Sequence, residues 1–161
     1  EGISKKVDLA LKHEAPTVIT TPVKDKFYTT LVQKYATQYN LRPEFVHSII
    51  KQESDYDPNA VSKSNAKGLM QLLPSTAQDI AGKLDIKDKD INLFNPDQNI
   101  RMGCYYMNWI REHMDQEWAM ACAYNQGLGN FKRGTMPVDG LNYANSVKKR
   151  IYHKDRRILP L

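Results

Sequence analysis

Long apolar runs are missing from this chain, and so is any cluster of metal-ligating side chains. No stretch is long and apolar enough to cross a membrane, so no integral membrane segment is expected. The four histidines, His13, His47, His113 and His153, are scattered without the spacing of a metal site, so neither metal nor cofactor is expected. His47 is expected to face solvent. Cysteine is scarce: Cys104 and Cys122 each fall inside a helical pattern where small apolar side chains suit, which reads as buried free thiols, with a disulfide between them as the alternative. Strand alternation and internal repeats are also lacking, which leaves an all-α fold. The charge balance is basic, +5 with a pI near 9.1, and suits an anionic polymer. Lys148, Lys149, Arg150, Lys154, Arg156 and Arg157 crowd near the C-terminus without a nucleic-acid motif, so a solvated helix face is expected and no nucleic-acid partner.

At 161 residues with 41% hydrophobic content, the chain is long enough for one soluble domain with a real core. Residues 1–26 carry Pro16, Pro22 and a threonine run without periodicity and read as an extended tail or linker remnant; residues 27–161 read as the domain. Phe27, Leu31, Tyr35 and Tyr39 recur at i+4 and mark a first helix ending near Asn40. Pro43 and Pro74 suit the first turns of two more helices, the second with Ala77, Ile80, Ala81 and Leu84 as its stripe. The 85–92 segment is polar and patternless. Asn95 then caps and Pro96 opens a long helix whose Ile100, Cys104, Met107, Ile110 and Met114 form one apolar face. A shorter Ala-rich helix over 116–126 and a last one over 143–151 complete the pattern. A start at Glu1 is expected of a chain processed or trimmed from a longer one.

Val46, Ile49, Ile50 and Glu53 share one helical stripe, which aims the Glu53 carboxyl toward the core. Burial disfavours the charged form, and so does the negative end of the helix dipole. Both raise the pKa, as a proton donor near neutral pH requires. A capping or salt-bridged glutamate is the plain alternative.

Downstream, Glu53-Ser54 is followed in order by Pro58-x-Ala60-Val61-Ser62, Gly68-Leu69-Met70-Gln71-Leu72-x-Pro74-x-Thr76-Ala77 and Ala123-Tyr124-Asn125-x-Gly127. This order resembles the soluble lytic transglycosylase (SLT) family, and the likeness runs from about Tyr28 to Ile151, including Leu93-Phe94-Asn95-Pro96 and Asn99-Ile100-Arg101-x-Gly103. The resemblance implies a lysozyme-like helical domain with a substrate groove. It implies cleavage of the bond between N-acetylmuramic acid (MurNAc) and N-acetylglucosamine in peptidoglycan glycan strands, without water as nucleophile. Glu53 matches the family's acid, which protonates the glycosidic oxygen and then takes the muramic C6 hydroxyl proton as a 1,6-anhydro ring closes. Ser62, Gln71, Tyr124 and Tyr143 match positions lining the family's site; Met70 and Asn125 join them with smaller roles. Beside this stand plainer readings: Ser62 closes a turn, the tyrosines and Met70 pack the core, and Asn125 helps end a helix. Tyr124 could hold the Glu53 carboxyl by a hydrogen bond, and Tyr143 do similar work from the far side.

Two departures from the family pattern stand out. Asn65 occupies a position where many members have glycine, and asparagine also tolerates positive φ. Asp139-Gly140 replaces a more usual Glu-Thr pair upstream of Tyr143.

Hydrolytic glycosidases need a second carboxylate at a set separation. Asp57 precedes Pro58 and reads as a turn former, and Asp55 as solvated, which favours attack by the substrate's own hydroxyl. A muramidase cutting the same bond and a non-catalytic wall-binding module remain the alternatives. The substrate implies an extracytoplasmic site, periplasm or cell envelope, with a membrane anchor in the precursor an option, and a monomer is expected.

Overall fold

A computed structural model describes residues 20–114, 116–127 and 142–148, with side chains from residue 26 onward. The chain divides into two compact units, Glu1–Thr30 and Leu31–Leu161. The described residues form α1 (Thr20–Gln38), α2 (Pro43–Ser54), α3 (Pro74–Lys83), a 3-10 turn (Asp88–Asp90), α4 (Pro96–Arg111), α5 (Glu117–Gln126) and α6 (142–148). Only two isolated bridges, Val61 to Lys67 and Lys67 to Leu72, have strand character among them. The all-α expectation holds.

Proline sets three of the helix starts. Pro43, Pro74 and Pro96 each occupy the first turn, where a missing N–H costs nothing and φ is already near the helical value. At α4 the Asn95 side chain also accepts from the Gln98 N–H at 3.0 Å, as the cap reading requires. α1 begins at Thr20 rather than Phe27, because Pro22 falls in the first turn, whose N–H groups have no helical partner anyway. Phe27 is 79% exposed, so the apolar stripe of α1 starts further on, at the buried Val32, Tyr35 and Ala36.

The 85–92 segment contains the 3-10 turn, held by Gln98, whose Nε2 donates to the Asp90 carbonyl while its Oε1 accepts from the Asn92 N–H. α4 stops at Arg111, so Met114 lies beyond the helix and the buried stripe ends at Ile110.

Phe45, Ile49, Ile50, Leu69, Met70, Ile100, Met107 and Ile110 are fully buried and make the centre of the second unit. Each side chain of this size contributes about 1.5–3 kcal/mol on burial. α4 packs against both α3 and α5. α5 is buried through Met120, Ala121, Cys122, Ala123 and Tyr124, and its alanines let it sit deep. Arg42 ties the start of α2 to α5 through a two-pronged bond to Glu117 at 2.8 and 2.5 Å. Tyr35 donates to Asp97 at 2.6 Å and so fastens the second half of α1 to α4. Cys104 and Cys122 are buried thiols not joined in a disulfide, as expected of core cysteines.

Candidate functional site

Glu53 is the penultimate residue of α2. The helix ends there because Asp55 turns left-handed (φ 51°, ψ 38°) and returns its N–H to the Lys51 carbonyl. Val46, Ile49 and Ile50 are buried on the stripe that carries Glu53, and the carboxyl is half-buried beside them. Burial is the larger influence on it and pushes the pKa from 4.5 up to about 7; a side-chain hydrogen bond from the buried Tyr143 hydroxyl favours the carboxylate and pulls the other way. The raised pKa anticipated for this position is therefore a property of the folded chain.

Beyond Glu53 the backbone is under tension. Asp55, Tyr56, Asn65 and Gln71 all hold positive φ (51°, 64°, 68° and 54°), a region that non-glycine residues enter at a cost. Asn65 thus takes the conformation that glycine would. Tyr56 is held by its neighbours: its hydroxyl lies 2.7 Å from His47 Nδ1 and donates to the His47 carbonyl at 3.2 Å. His47 is half-buried and committed to this contact rather than turned to solvent, because the left-handed turn folds the Tyr56 ring back onto α2.

The floor of the site is the 67–72 segment. Ser54, next to Glu53, donates to the Leu69 carbonyl at 2.8 Å and joins the end of α2 to that floor. Asn99 on α4 is fully buried and binds it at two points, its Oδ1 accepting from the Met70 N–H at 2.7 Å and its Nδ2 donating to the Lys67 carbonyl at 2.9 Å, while the same Nδ2 donates to the Leu93 carbonyl, also at 2.9 Å. Gly68 (φ 80°) passes so close that a Cβ there would lie 2.2 Å from both Asn99 Nδ2 and the Leu93 oxygen. In the sequence Asn99 is marked only as the first residue of the family-like run Asn99-Ile100-Arg101-x-Gly103 and as a polar residue on the apolar face of a helix, with no site role of its own.

The other expected site residues divide into groups. Tyr124 is buried, and its hydroxyl donates to the Met70 carbonyl at 2.6 Å. Burial, then the nearby Glu53 charge, raise its pKa well above the usual tyrosine range. Tyr143, on α6, supplies the hydrogen bond to the carboxyl for which Tyr124 was the first candidate. Gln71 donates through Nε2 to the Ala60 and Gly68 carbonyls at 3.1 and 2.9 Å, which leaves Oε1 without a donor among the described residues.

Met70 is fully buried, with its sulfur packed on Gly103, and reaches the site through its backbone. Ser62 is exposed, and its hydroxyl accepts from the Ser64 and Ala66 N–H groups at 3.2 and 3.1 Å. Asn125 is exposed at the end of α5 and accepts from Gln126, while Gly127 (φ 89°) makes the terminal turn. Asp139 and Gly140 lie outside the described residues.

Neither candidate second carboxylate joins Glu53. Asp55 is exposed and ion-paired with Lys51, and Asp57 is exposed and accepts from the Asn59 N–H at 2.9 Å, closing its own turn. Among the described residues no group of three or more His, Cys, Asp or Glu side chains could hold a metal.

The helical fold that seats this carboxyl has counterparts among solved proteins. The fold is lysozyme-like: the chain superimposes on the 70 kDa soluble lytic transglycosylase of Escherichia coli with a TM-score of 0.71, at 21% identity, over 81% of this chain and 24% of that one. It superimposes on the bulgecin A complex of the 70 kDa soluble lytic transglycosylase at 0.72, with 22% identity and the same coverage. The chain belongs to the Transglycosylase SLT domain family, which matches residues 30–146.

Among curated relatives, the membrane-bound lytic murein transglycosylase C of Actinobacillus pleuropneumoniae serotype 5b is 37% identical over 118 residues, 66% of this chain and 32% of that protein. Its namesake in Histophilus somni (strain 2336) is 34% identical over 151 residues, 84% of this chain and 36% of that protein. The chain thus spans about a third of the length of the curated relatives it matches.

Proposed function

We propose that this chain is a peptidoglycan lytic transglycosylase domain. It cleaves the β-1,4 bond from N-acetylmuramic acid to N-acetylglucosamine, with Glu53 as the sole catalytic carboxyl. The observation that carries the reading is the state of that residue: a half-buried acid with a pKa near 7, with no second carboxylate turned toward it among the described residues. Near neutral pH a good fraction of such an acid is protonated and can hand its proton to the glycosidic oxygen as the C1–O bond breaks. The resulting carboxylate then accepts the proton of the muramic C6 hydroxyl while that oxygen bonds to C1. The proton count closes with Glu53 again protonated and no water consumed.

Tyr143 steadies the carboxylate half of this cycle, and the buried Tyr124 holds the floor and keeps water from the acid. Gln71 Oε1 is suited to accept from a sugar hydroxyl or acetamide N–H, and Asn125 and Ser62 stand on exposed edges where a glycan can reach them. Met70 shapes the floor from beneath. The domain corresponds to residues 27–161, with 1–26 as an N-terminal tail or linker remnant whose last residues, from Thr20, already belong to α1, and it acts as a monomer on glycan strands outside the cytoplasm. The names of the relatives, murein transglycosylases described as membrane-bound, support the envelope location.

Digestion of purified peptidoglycan by the wild type and by Glu53→Gln, with released muropeptides weighed by mass spectrometry, tests this. The expected products are one water lighter than those of a hydrolase, and their rate falls by about 10²–10⁴ in the variant. Reducing-end products would make the chain a muramidase, and binding without release would make it a wall-binding module.

A further inference from the structure

Two tyrosine hydroxyls stand by Glu53, and only one serves its carboxyl. Tyr143 donates to it. Tyr124 is close enough for the Glu53 charge to act on it, yet its hydroxyl donates to the Met70 carbonyl at 2.6 Å. A phenol carries one proton, and a hydrogen bond to an ionised carboxylate is about twice as strong as one to an amide carbonyl. The choice of Tyr124 therefore runs against the strengths of its two acceptors, and it persists only if the carbonyl is held in place.

What holds it is one stripe of α4. Asn99, Gly103 and Tyr106 recur at i, i+4 and i+7 and so face the same way. Asn99 Oδ1 accepts from the Met70 N–H at 2.7 Å, while its Nδ2 is anchored on the Lys67 and Leu93 carbonyls, which fixes the orientation of the amide. Gly103 receives the Met70 side chain: a Cβ there would lie 2.3 Å from the sulfur and 2.9 Å from the Met70 Cβ. Tyr106 sets its ring 5.4 Å from that of Tyr124. The following peptide is fixed as well, since the Gln71 N–H closes a turn onto the Gly68 carbonyl at 3.1 Å, with Gln71 at a φ of 54°. Met70 is thus gripped by its N–H and its side chain, and its carbonyl meets the Tyr124 hydroxyl.

We infer that Asn99 is a positioning residue for the acid: by holding Met70 from α4 it commits the Tyr124 proton to the floor and keeps it off the Glu53 carboxyl. The inference rests on the transglycosylase reading for what the acid does. Around Glu53 and Tyr124, the titratable neighbours among the described residues are Tyr143 from α6 and Tyr106 and Cys104 from α4. A second hydroxyl given to the carboxylate would add to the pull of Tyr143 and oppose burial, so Glu53 would lose its proton at lower pH.

A carboxyl-carbon NMR titration of Glu53 across a set of variants tests this. Asn99→Ala should lower the midpoint from about 7 by about one unit, and Tyr124→Phe alone should leave it in place. The double variant, Asn99→Ala with Tyr124→Phe, should return to the wild-type value. That return separates positioning from loosening, because water admitted by a weakened floor would lower the midpoint whether or not residue 124 keeps a hydroxyl. Gly103→Ala displaces Met70 without touching Asn99; it should repeat the Asn99→Ala shift and stands in for that variant if it does not fold. An unmoved midpoint in folded Asn99→Ala or Gly103→Ala, or a double variant as low as the single one, would overturn the inference. So would a midpoint that Tyr124→Phe raises as Tyr143→Phe does, since Tyr124 would then already serve the carboxyl. In turnover, the high-pH limb of the Asn99→Ala rate profile should move down with the titration and return in the double variant. A wild type that gives the full titration pattern but releases no anhydro product would instead remove the transglycosylase reading alone.

Discussion

The turn over 57–65 and the floor over 67–72 are neighbours in sequence and share left-handed residues, yet they are secured in opposite ways. The turn is closed mainly by its own side chains, Asp57 accepting from Asn59 and Ser62 from Ser64 and Ala66, and it meets the floor at the Ala60 carbonyl, which accepts from Gln71. The floor is closed from outside, by Asn99 on α4, Ser54 on α2 and Tyr124 on α5, and its centre is fully buried. A self-closed turn loses little when one bond goes, because water replaces it. A floor held by distant elements transmits every loss to Glu53, which depends on those same elements for its dry surroundings.

The contrast is sharpest at Asn99 and Gly68. Asn99→Leu removes three buried hydrogen bonds at once and should destabilise the chain by about 3 kcal/mol or more in denaturant unfolding. Gly68→Ala sets a methyl group 2.2 Å from two polar atoms at a φ of 80°, and about 3 kcal/mol of destabilisation is expected. If either variant unfolded like the wild type, the floor would not be the rigid part.

Tyr143→Phe is milder for the fold and acts on protonation. Its hydrogen bond favours the Glu53 carboxylate, so its loss should move the high-pH limb of the rate profile upward, as a pH–rate series would show. In the turn, Ser62→Ala should cost only about 0.5–1 kcal/mol, since its partners are exposed. A loss as large as that of Asn99→Leu would erase the distinction.

Glu53 also leaves a mark on stability. Its pKa is higher folded, about 7, than unfolded, about 4.5, so folding takes up a proton between those values. The native state therefore weakens as pH rises from about 4.5 to 7. Glu53→Gln should be flat over that window and hold its stability at pH 8.

Much of this was legible in the sequence for physical reasons. Proline at 43, 74 and 96 fixes helix starts through its own ring, and the stripe from Val46 to Glu53 comes from helical geometry alone. Asn65 could be read as left-handed because asparagine tolerates that region. The floor could not be read, since a hydrogen bond from Asn99 to Met70 spans 29 residues and leaves no periodic sign. The exchange of roles between Tyr124 and Tyr143, and the inward commitment of His47, turn on side-chain directions in strained loops, which spacing does not encode.

The central claim is that the fold keeps Glu53 protonated near neutral pH, and a carboxyl-carbon NMR titration of the wild type, assigned by loss of the signal in Glu53→Gln, tests it most directly. A midpoint near 7 is the expected result. A midpoint at the ordinary 4.5 would show a solvated carboxylate and contradict the account of Glu53 as the proton donor.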